Sequence, residues 1–237
     1  MTNLSVNINK IALIRNSRGA NFPNLLELAK DCEIFGADGI TVHPRPDQRH
    51  VRFDDIPQLK EIVKTEFNVE GNPTPEFMKL VIENCPHQCT LVPDAEQALT
   101  SDNGWDTLKH FSFLKDVCAE LSEKGIRTSI FVNSDPKMVE GAKRLGADRV
   151  EFYTGPYAKY FTINPELAIK DYVVAAKIAD NIGIGINAGH DLSLYNLKHF
   201  KQHIPSLLEV SIGHALIVDA IYYGLHNTIQ MYKNCLK

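Results

Sequence analysis

The 237-residue chain has no apolar run near the roughly 18 to 20 residues that a membrane-spanning helix needs. Its opening, Met1 to Lys10, lacks the charged-then-apolar order of a secretory signal, so a cytoplasmic location is the expectation. A basic excess is missing too. Lys and Arg number 25 against 29 Asp and Glu, a formal charge of -4. No global field therefore collects nucleic acid or an anionic bilayer, and neither is expected as a partner. The five cysteines, Cys32, Cys85, Cys89, Cys118 and Cys235, contain no CxxC pair, which argues against structural zinc and for free thiols in a reducing compartment. No Ser/Gly linker, low-complexity tract or charge block divides the chain, so one domain over 1–237 is expected.

What the sequence does have is alternation. Short β-rich runs recur at Leu4 to Asn9, Gly39 to His43, Phe67 to Glu70, Gln88 to Val92, Arg127 to Val132, Arg149 to Tyr153, Gly183 to Ala188 and Leu207 to Ile212. Amphipathic stretches between them predict helices near 22–35, 56–65, 75–84, 107–124, 136–145, 165–181 and 193–203, with a last one from about 214 to 234. Eight strand-then-helix units predict parallel strands with crossover helices, an α/β fold closed as a (β/α)8 TIM barrel. An open doubly wound sheet is the competing arrangement, but no GxGxxG follows the first run. Phe35-Gly-Ala-Asp-Gly-Ile-Thr-Val-His43 echoes Leu145-Gly-Ala-Asp-Arg-Val-Glu-Phe-Tyr153, four units apart, as two half-barrels would. Gly36 and Gly146 fall where a helix end needs positive φ. Asp135-Pro136 and Asn164-Pro165 read as an N-cap followed by an N1 proline.

In such a barrel the reactive groups sit where strands end. There the sequence offers Asn7 with Asn9-Lys10, His43-Pro-Arg45, Glu70, Glu151, Asn187-Ala-Gly-His190 and Gly213-His214. Glu151, between Val150 and Phe152, is a carboxylate at an inward strand position, costly unless paired or protonated. Two histidines and two glutamates supply acids and bases that burial can tune toward neutrality, as proton shuttling at a carbonyl or imine requires. The same four could hold a divalent metal, although HxH, HExxH and carboxylate-rich strand ends are missing. No lysine lies in or just after the third to eighth runs, which disfavours a Schiff-base aldolase and leaves Lys10 placed to hold an anion. Arg15 and Arg18, then Arg45, Arg49, His50 and Arg52, form local positive clusters on an acidic chain. Ala188-Gly-His-Asp191 and Ile212-Gly-His-Ala215 bring glycines and free backbone N–H groups to the usual phosphate position, so a substrate set with two phosphates is expected. The connection from Pro93 to Asp106, about 14 residues, is a lid candidate.

Taken in order, several motifs resemble the pyridoxine 5′-phosphate synthase family over nearly the whole chain. They are Val6-Asn-Ile-Asn9 with Arg15-Asn-Ser-Arg-Gly19, Gly36-Ala-Asp-Gly-Ile-Thr-Val-His-Pro-Arg45 with Arg49-His50, Asn68-Val-Glu70, Leu91-Val-Pro93, Val150-Glu151, Asn187-Ala-Gly-His190 and Ile212-Gly-His-Ala215. The resemblance implies condensation of 3-amino-2-oxopropyl phosphate with 1-deoxy-D-xylulose 5-phosphate to pyridoxine 5′-phosphate, phosphate and water. It implies neither metal nor organic cofactor, and a homo-octamer. Carried over by position, His43 and Glu70 are proton acceptors, His190 is the proton donor and Glu151 stabilises charged intermediates. Asn7, Arg18, Arg45, His50, Thr100, Gly213 and His214 are implied substrate contacts.

Asn9 and Lys10 fall at a further substrate-binding position but replace the Asp-His of better-known members. Asp191 stands where glycine is common, and a carboxylate there repels phosphate unless turned away or paired with a cation. Val218-Asp219 replaces a small residue and an arginine, putting a basic contact from that turn in question. Two other readings stay open: a metal-dependent sugar-phosphate isomerase or epimerase on the same barrel, and a catalytically silent phosphometabolite-binding module.

Overall fold

The structure, a computed structural model, describes residues 1–94 and 101–237. Its strands are β1 (Asn3–Asn7), β2 (Gly39–Val42), β3 (Glu66–Gly71), β4 (Gln88–Leu91), β5 (Arg127–Val132), β6 (Arg149–Phe152), β7 (Gly185–Gly189) and β8 (Leu207–Ile212). Each pairs in parallel with the next, and β8 pairs with β1, so the predicted eight-stranded barrel closes. The helices are α1 (Asn9–Asn16), α2 (Leu25–Ile34), α3 (Asp55–Ile62), α4 (Pro75–Asn84), α5 (Phe111–Glu123), α6 (Pro136–Arg144), α7 (Gly155–Phe161), α8 (Pro165–Ile182), α9 (Leu197–His203), α10 (His214–Tyr223) and α11 (Leu225–Cys235).

Strand side chains alternate between two faces, and the alternation sorts them by polarity. Val6, Ile40, Val42, Val69, Leu91, Ile130, Val150 and Val210 are fully buried in the apolar core that the strands share with the helices. The other face is polar and looks inward, because its hydrogen bonds join strands that are not neighbours. Asn187 Nδ2 on β7 reaches Gln88 Oε1 on β4 at 3.4 Å, and Asn7 Nδ2 on β1 reaches Glu70 Oε2 on β3 at 3.4 Å. Arg149 on β6 donates to Glu209 Oε2 on β8 at 3.0 Å, as well as to Asn187 Oδ1 on the neighbouring β7 at 3.1 Å, and Arg127 on β5 pairs with Glu66 on β3. A lumen usually filled by branched apolar side chains is here a hydrogen-bonded polar stack. Asn187 belongs to this stack rather than to the mouth.

The repeated Gly-Ala-Asp has a structural reason. Gly36 and Gly146 take φ of 100° and 90°, the left-handed ends expected of them. The aspartate two residues on then accepts a backbone N–H from the neighbouring strand: Leu4 N to Asp38 Oδ2 at 2.9 Å, and Thr128 N to Asp148 Oδ2 at 2.8 Å. Removing the carboxylate orphans that donor, so Asp148→Ala is expected to cost about 1.5–3 kcal/mol. Asp38→Ala should cost more, because Asp38 also holds Lys233 Nζ at 2.8 Å. Thermal unfolding of the two variants checks the order; equal midpoints would contradict it.

The N-caps stand as predicted, Asp135 accepting from Lys137 N and Asn164 from Leu167 N. Several boundaries differ from expectation. Asn9 opens α1 instead of ending β1, and α7 was not expected. Gly183, read as strand, is the left-handed C-cap of α8 at φ 67°, and β7 starts at Gly185. Gly224 at φ 77° divides the last expected helix into α10 and α11. Arg15, expected in an anion cluster, instead forms a buried two-pronged pair with Asp55, NH1 to Oδ1 at 2.7 Å and NH2 to Oδ2 at 2.9 Å, tying α1 to α3.

Candidate active site

A cavity of about 460 Å³ opens at the C-terminal ends of the strands. Its walls bring together Asn7, Asn9, Lys10, His43, Arg45, His50, Glu70, Glu151, His190, Gly213 and His214, residues drawn from six strand ends. Arg18 is exposed in the turn after α1 and is not part of the wall. Thr100 lies outside the described residues, as does part of the expected lid; of the lid's described residues, Ser101 lines the cavity.

Two asparagines set the first wall. Asn7 Oδ1 accepts Asn9 N at 3.1 Å, and Asn9 Oδ1 accepts His43 N at 2.9 Å. The Asn9 amide thus fixes the backbone of His43. Its imidazole Nδ1 lies 4.0 Å from Glu70 Oε2.

The opposite wall is held under strain. His190 has φ 31°, a left-handed backbone that costs a non-glycine residue about 1–2 kcal/mol. Thr154 clamps the turn from both sides, its Oγ1 donating to Gly189 O at 2.6 Å and accepting Asp191 N at 3.2 Å. Gly189 cannot be larger, since a Cβ there would lie 2.1 Å from Ser211 O. His190 Nδ1 meets Asp191 Oδ2 at 2.8 Å. The carboxylate that could have repelled phosphate is therefore paired with the imidazole.

Sequence reasoning missed Asp94, Ser101, Phe131 and Ser211. Asp94 Oδ2 takes Arg45 NH2 at 2.6 Å and Ser101 Oγ at 2.7 Å, and its backbone carbonyl takes Asn72 Nδ2 at 2.9 Å. Its sequence signal was weak: it directly follows the Leu91-Val-Pro93 motif but lies beyond the strand.

The chain matches the family described as "Pyridoxal phosphate biosynthesis protein PdxJ" over residues 4–237. It is 61% identical over 237 residues to the pyridoxine 5′-phosphate synthase of Cytophaga hutchinsonii and 58% identical to that of Bacteroides thetaiotaomicron, each alignment covering 100% of both chains. The chain belongs to the PdxJ family. Solved barrels share the fold alone: a phosphoribosyl anthranilate isomerase structure superposes with a TM-score of 0.62 at 12% identity, covering 100% of this chain and 98% of the other.

In this PdxJ-family cavity, burial separates the titrating groups into opposite roles. Burial, helped by Arg45, His50, Arg49 and His190, holds the His43 imidazole well below its usual value, so it is neutral at pH 7 and has a lone pair. Burial likewise takes His50 down to about 4, with Lys10, Arg49 and Arg45 assisting. Burial also opposes charge on His190, but the hydrogen bond and charge of Asp191, with Glu151 and Asp94, prevail and raise it. Burial pushes Glu70 up to about 8, Asp94 and Glu209 adding to the shift against Ser211 and Arg45. Glu151 is raised well above the carboxylate range by burial and by Glu70, and its Oε2 has no hydrogen-bond partner among the described residues. An imidazole held neutral thus faces one whose proton affinity is raised, across two carboxyls whose pKa lies above the usual range.

Proposed function

We propose that the chain is a pyridoxine 5′-phosphate synthase that condenses 3-amino-2-oxopropyl phosphate with 1-deoxy-D-xylulose 5-phosphate, releasing phosphate and water. The observation that carries the reading is the meeting of His43, Glu70, Glu151 and His190 around one cavity in a chain that matches the family along its whole length. Imine formation, phosphate elimination, ring closure and dehydration are successive proton transfers on one held intermediate. They need several acid/base groups in fixed positions rather than one strong catalyst. In this account neutral His43 accepts protons, as does Glu70 in its ionised form, while His190 donates and Glu151 faces the cationic intermediates. Gly213 and His214, at the start of α10, offer backbone N–H groups and the positive end of a helix to one phosphate. Arg45, Lys10 and His50 face the other anion, with Asn7 and Asn9 holding the wall between.

The purified protein given both substrates without added metal should form pyridoxine 5′-phosphate and release inorganic phosphate, and a chelator should leave the rate unchanged. No product across the neutral and mildly alkaline range would overturn the assignment. The same reading carries a cytoplasmic homo-octamer, for which the hydrodynamic mass should be eight times the 26.6 kDa chain.

A further inference from the structure

Away from the barrel mouth, three ligand-type side chains meet on the outer helical layer. Glu166 lies in the first turn of α8, and His199 and His203 stand four residues apart on α9, so both imidazoles share a face. Their ligand atoms all lie within 4.8 Å of one another. His199 Nε2 is 3.3 Å from Glu166 Oε1, and His203 Nε2 is 3.8 Å from Glu166 Oε2. A tetrahedral ion with bonds of about 2.0–2.1 Å spaces its ligands by roughly 3.3 Å, so small side-chain shifts complete the geometry.

The neighbours fix which nitrogen is available. The Tyr157 hydroxyl donates to Asn196 O at 2.8 Å, which leaves its oxygen to accept from His199 Nδ1 at 3.2 Å. His203 Nδ1 faces the His199 carbonyl at 2.9 Å, an acceptor only, so that nitrogen carries the proton. In the neutral rings both Nε2 atoms are then left with lone pairs, and both point at one carboxylate. Outer partners that orient metal-binding histidines work in this way. Two separate ion pairs explain the arrangement less well. Both imidazoles would have to be protonated with ring centroids 4.1 Å apart, where two cations repel, and they would share a single negative charge.

We propose that Glu166, His199 and His203 form a three-ligand site for a divalent transition ion of the zinc type, with water completing its shell. Two imidazoles and one carboxylate favour zinc, copper or nickel over magnesium and calcium. None of the three lines the catalytic cavity, so the ion takes no part in the condensation. It clips α9 to α8. α9 follows the His190–Asp191 turn, and Asn196, which binds Tyr157 through its carbonyl, also donates from Nδ2 to Asp191 O at 3.4 Å. The ion thereby braces the outer support of that turn.

The test uses the full chain carrying Cys85→Ser, which removes an exposed thiol that could compete for the ion. The metal-free protein is titrated with zinc chloride by calorimetry, and its thermal midpoint is followed. One more equivalent of zinc per chain is expected than in the same protein carrying His203→Gln. The midpoint should rise with zinc, because the ion binds the folded state, and both His203→Gln and Glu166→Gln should abolish the rise. His203 and Glu166 have side chains 34% and 77% exposed, so neither change opens the core, and matching midpoints without zinc check this. Equal zinc stoichiometry with and without His203, or an equal midpoint rise with magnesium, would overturn the site.

Discussion

Replacing His190 with asparagine should lower turnover by about 10²–10⁴-fold, the usual contribution of a positioned general acid, while leaving the fold intact. Asparagine is the informative choice because position 190 sits at φ 31°, and Asn tolerates left-handed backbone better than most residues. His190→Ala should lose the same activity with some added instability, so the pair separates chemistry from strain. The turn itself should persist, since Thr154 grips Gly189 O and Asp191 N rather than the imidazole. Turnover and thermal midpoints of both variants check the expectation. Near-normal turnover in His190→Asn would remove His190 from the mechanism.

Glu70 sets the second large effect, and its sign follows from its surroundings. Burial with Asp94 and Glu209 nearby pushes the carboxyl up to about 8, so at lower pH it is protonated and cannot accept a proton. kcat/KM, which reports the free enzyme, should therefore rise with pH toward about 8. Glu70→Gln should lower it about 10²–10⁴-fold and remove the rising limb. Asp94→Asn removes a neighbouring negative charge and should move the limb to lower pH. A limb unchanged in Glu70→Gln would assign the titration to another group.

Much of the barrel was legible because its buried parallel strands are rich in β-branched and apolar residues bounded by Gly, Asn and Asp. Val6, Ile40, Val69, Ile130, Val150 and Val210 mark the side that meets the helices. The boundaries that shifted have local causes. Gly183-Ile-Gly-Ile186 alternates like a strand, yet the first glycine is needed as a left-handed cap. Asn9 continues the alternation of β1, but its side chain holds His43 N and the chain turns into α1. Gly155-Pro156 puts proline in the first turn of α7, where its missing N–H costs nothing, but in the sequence the same dipeptide reads as a turn.

The candidate site was legible for a geometric reason. A closed parallel barrel sends every strand end to one face, so polar residues at strand ends converge without any motif linking them in sequence. What depends on long-range pairing was not legible. Arg15 looked like part of a positive cluster until Asp55, forty residues later, took both its nitrogens. Asp94 showed no sign of bracing Arg45 because the pairing joins two loops. Asp191 was a puzzle beside a phosphate until it appeared paired with the imidazole next to it.

A crystal structure of the protein with pyridoxine 5′-phosphate bound would test the central claim most directly. The pyridine ring should lie within hydrogen-bonding reach of His43, Glu70 and His190, over Glu151, with its phosphate on the backbone N–H groups that open α10. Product bound elsewhere, or with those imidazoles and carboxyls facing away from the ring, would contradict the account.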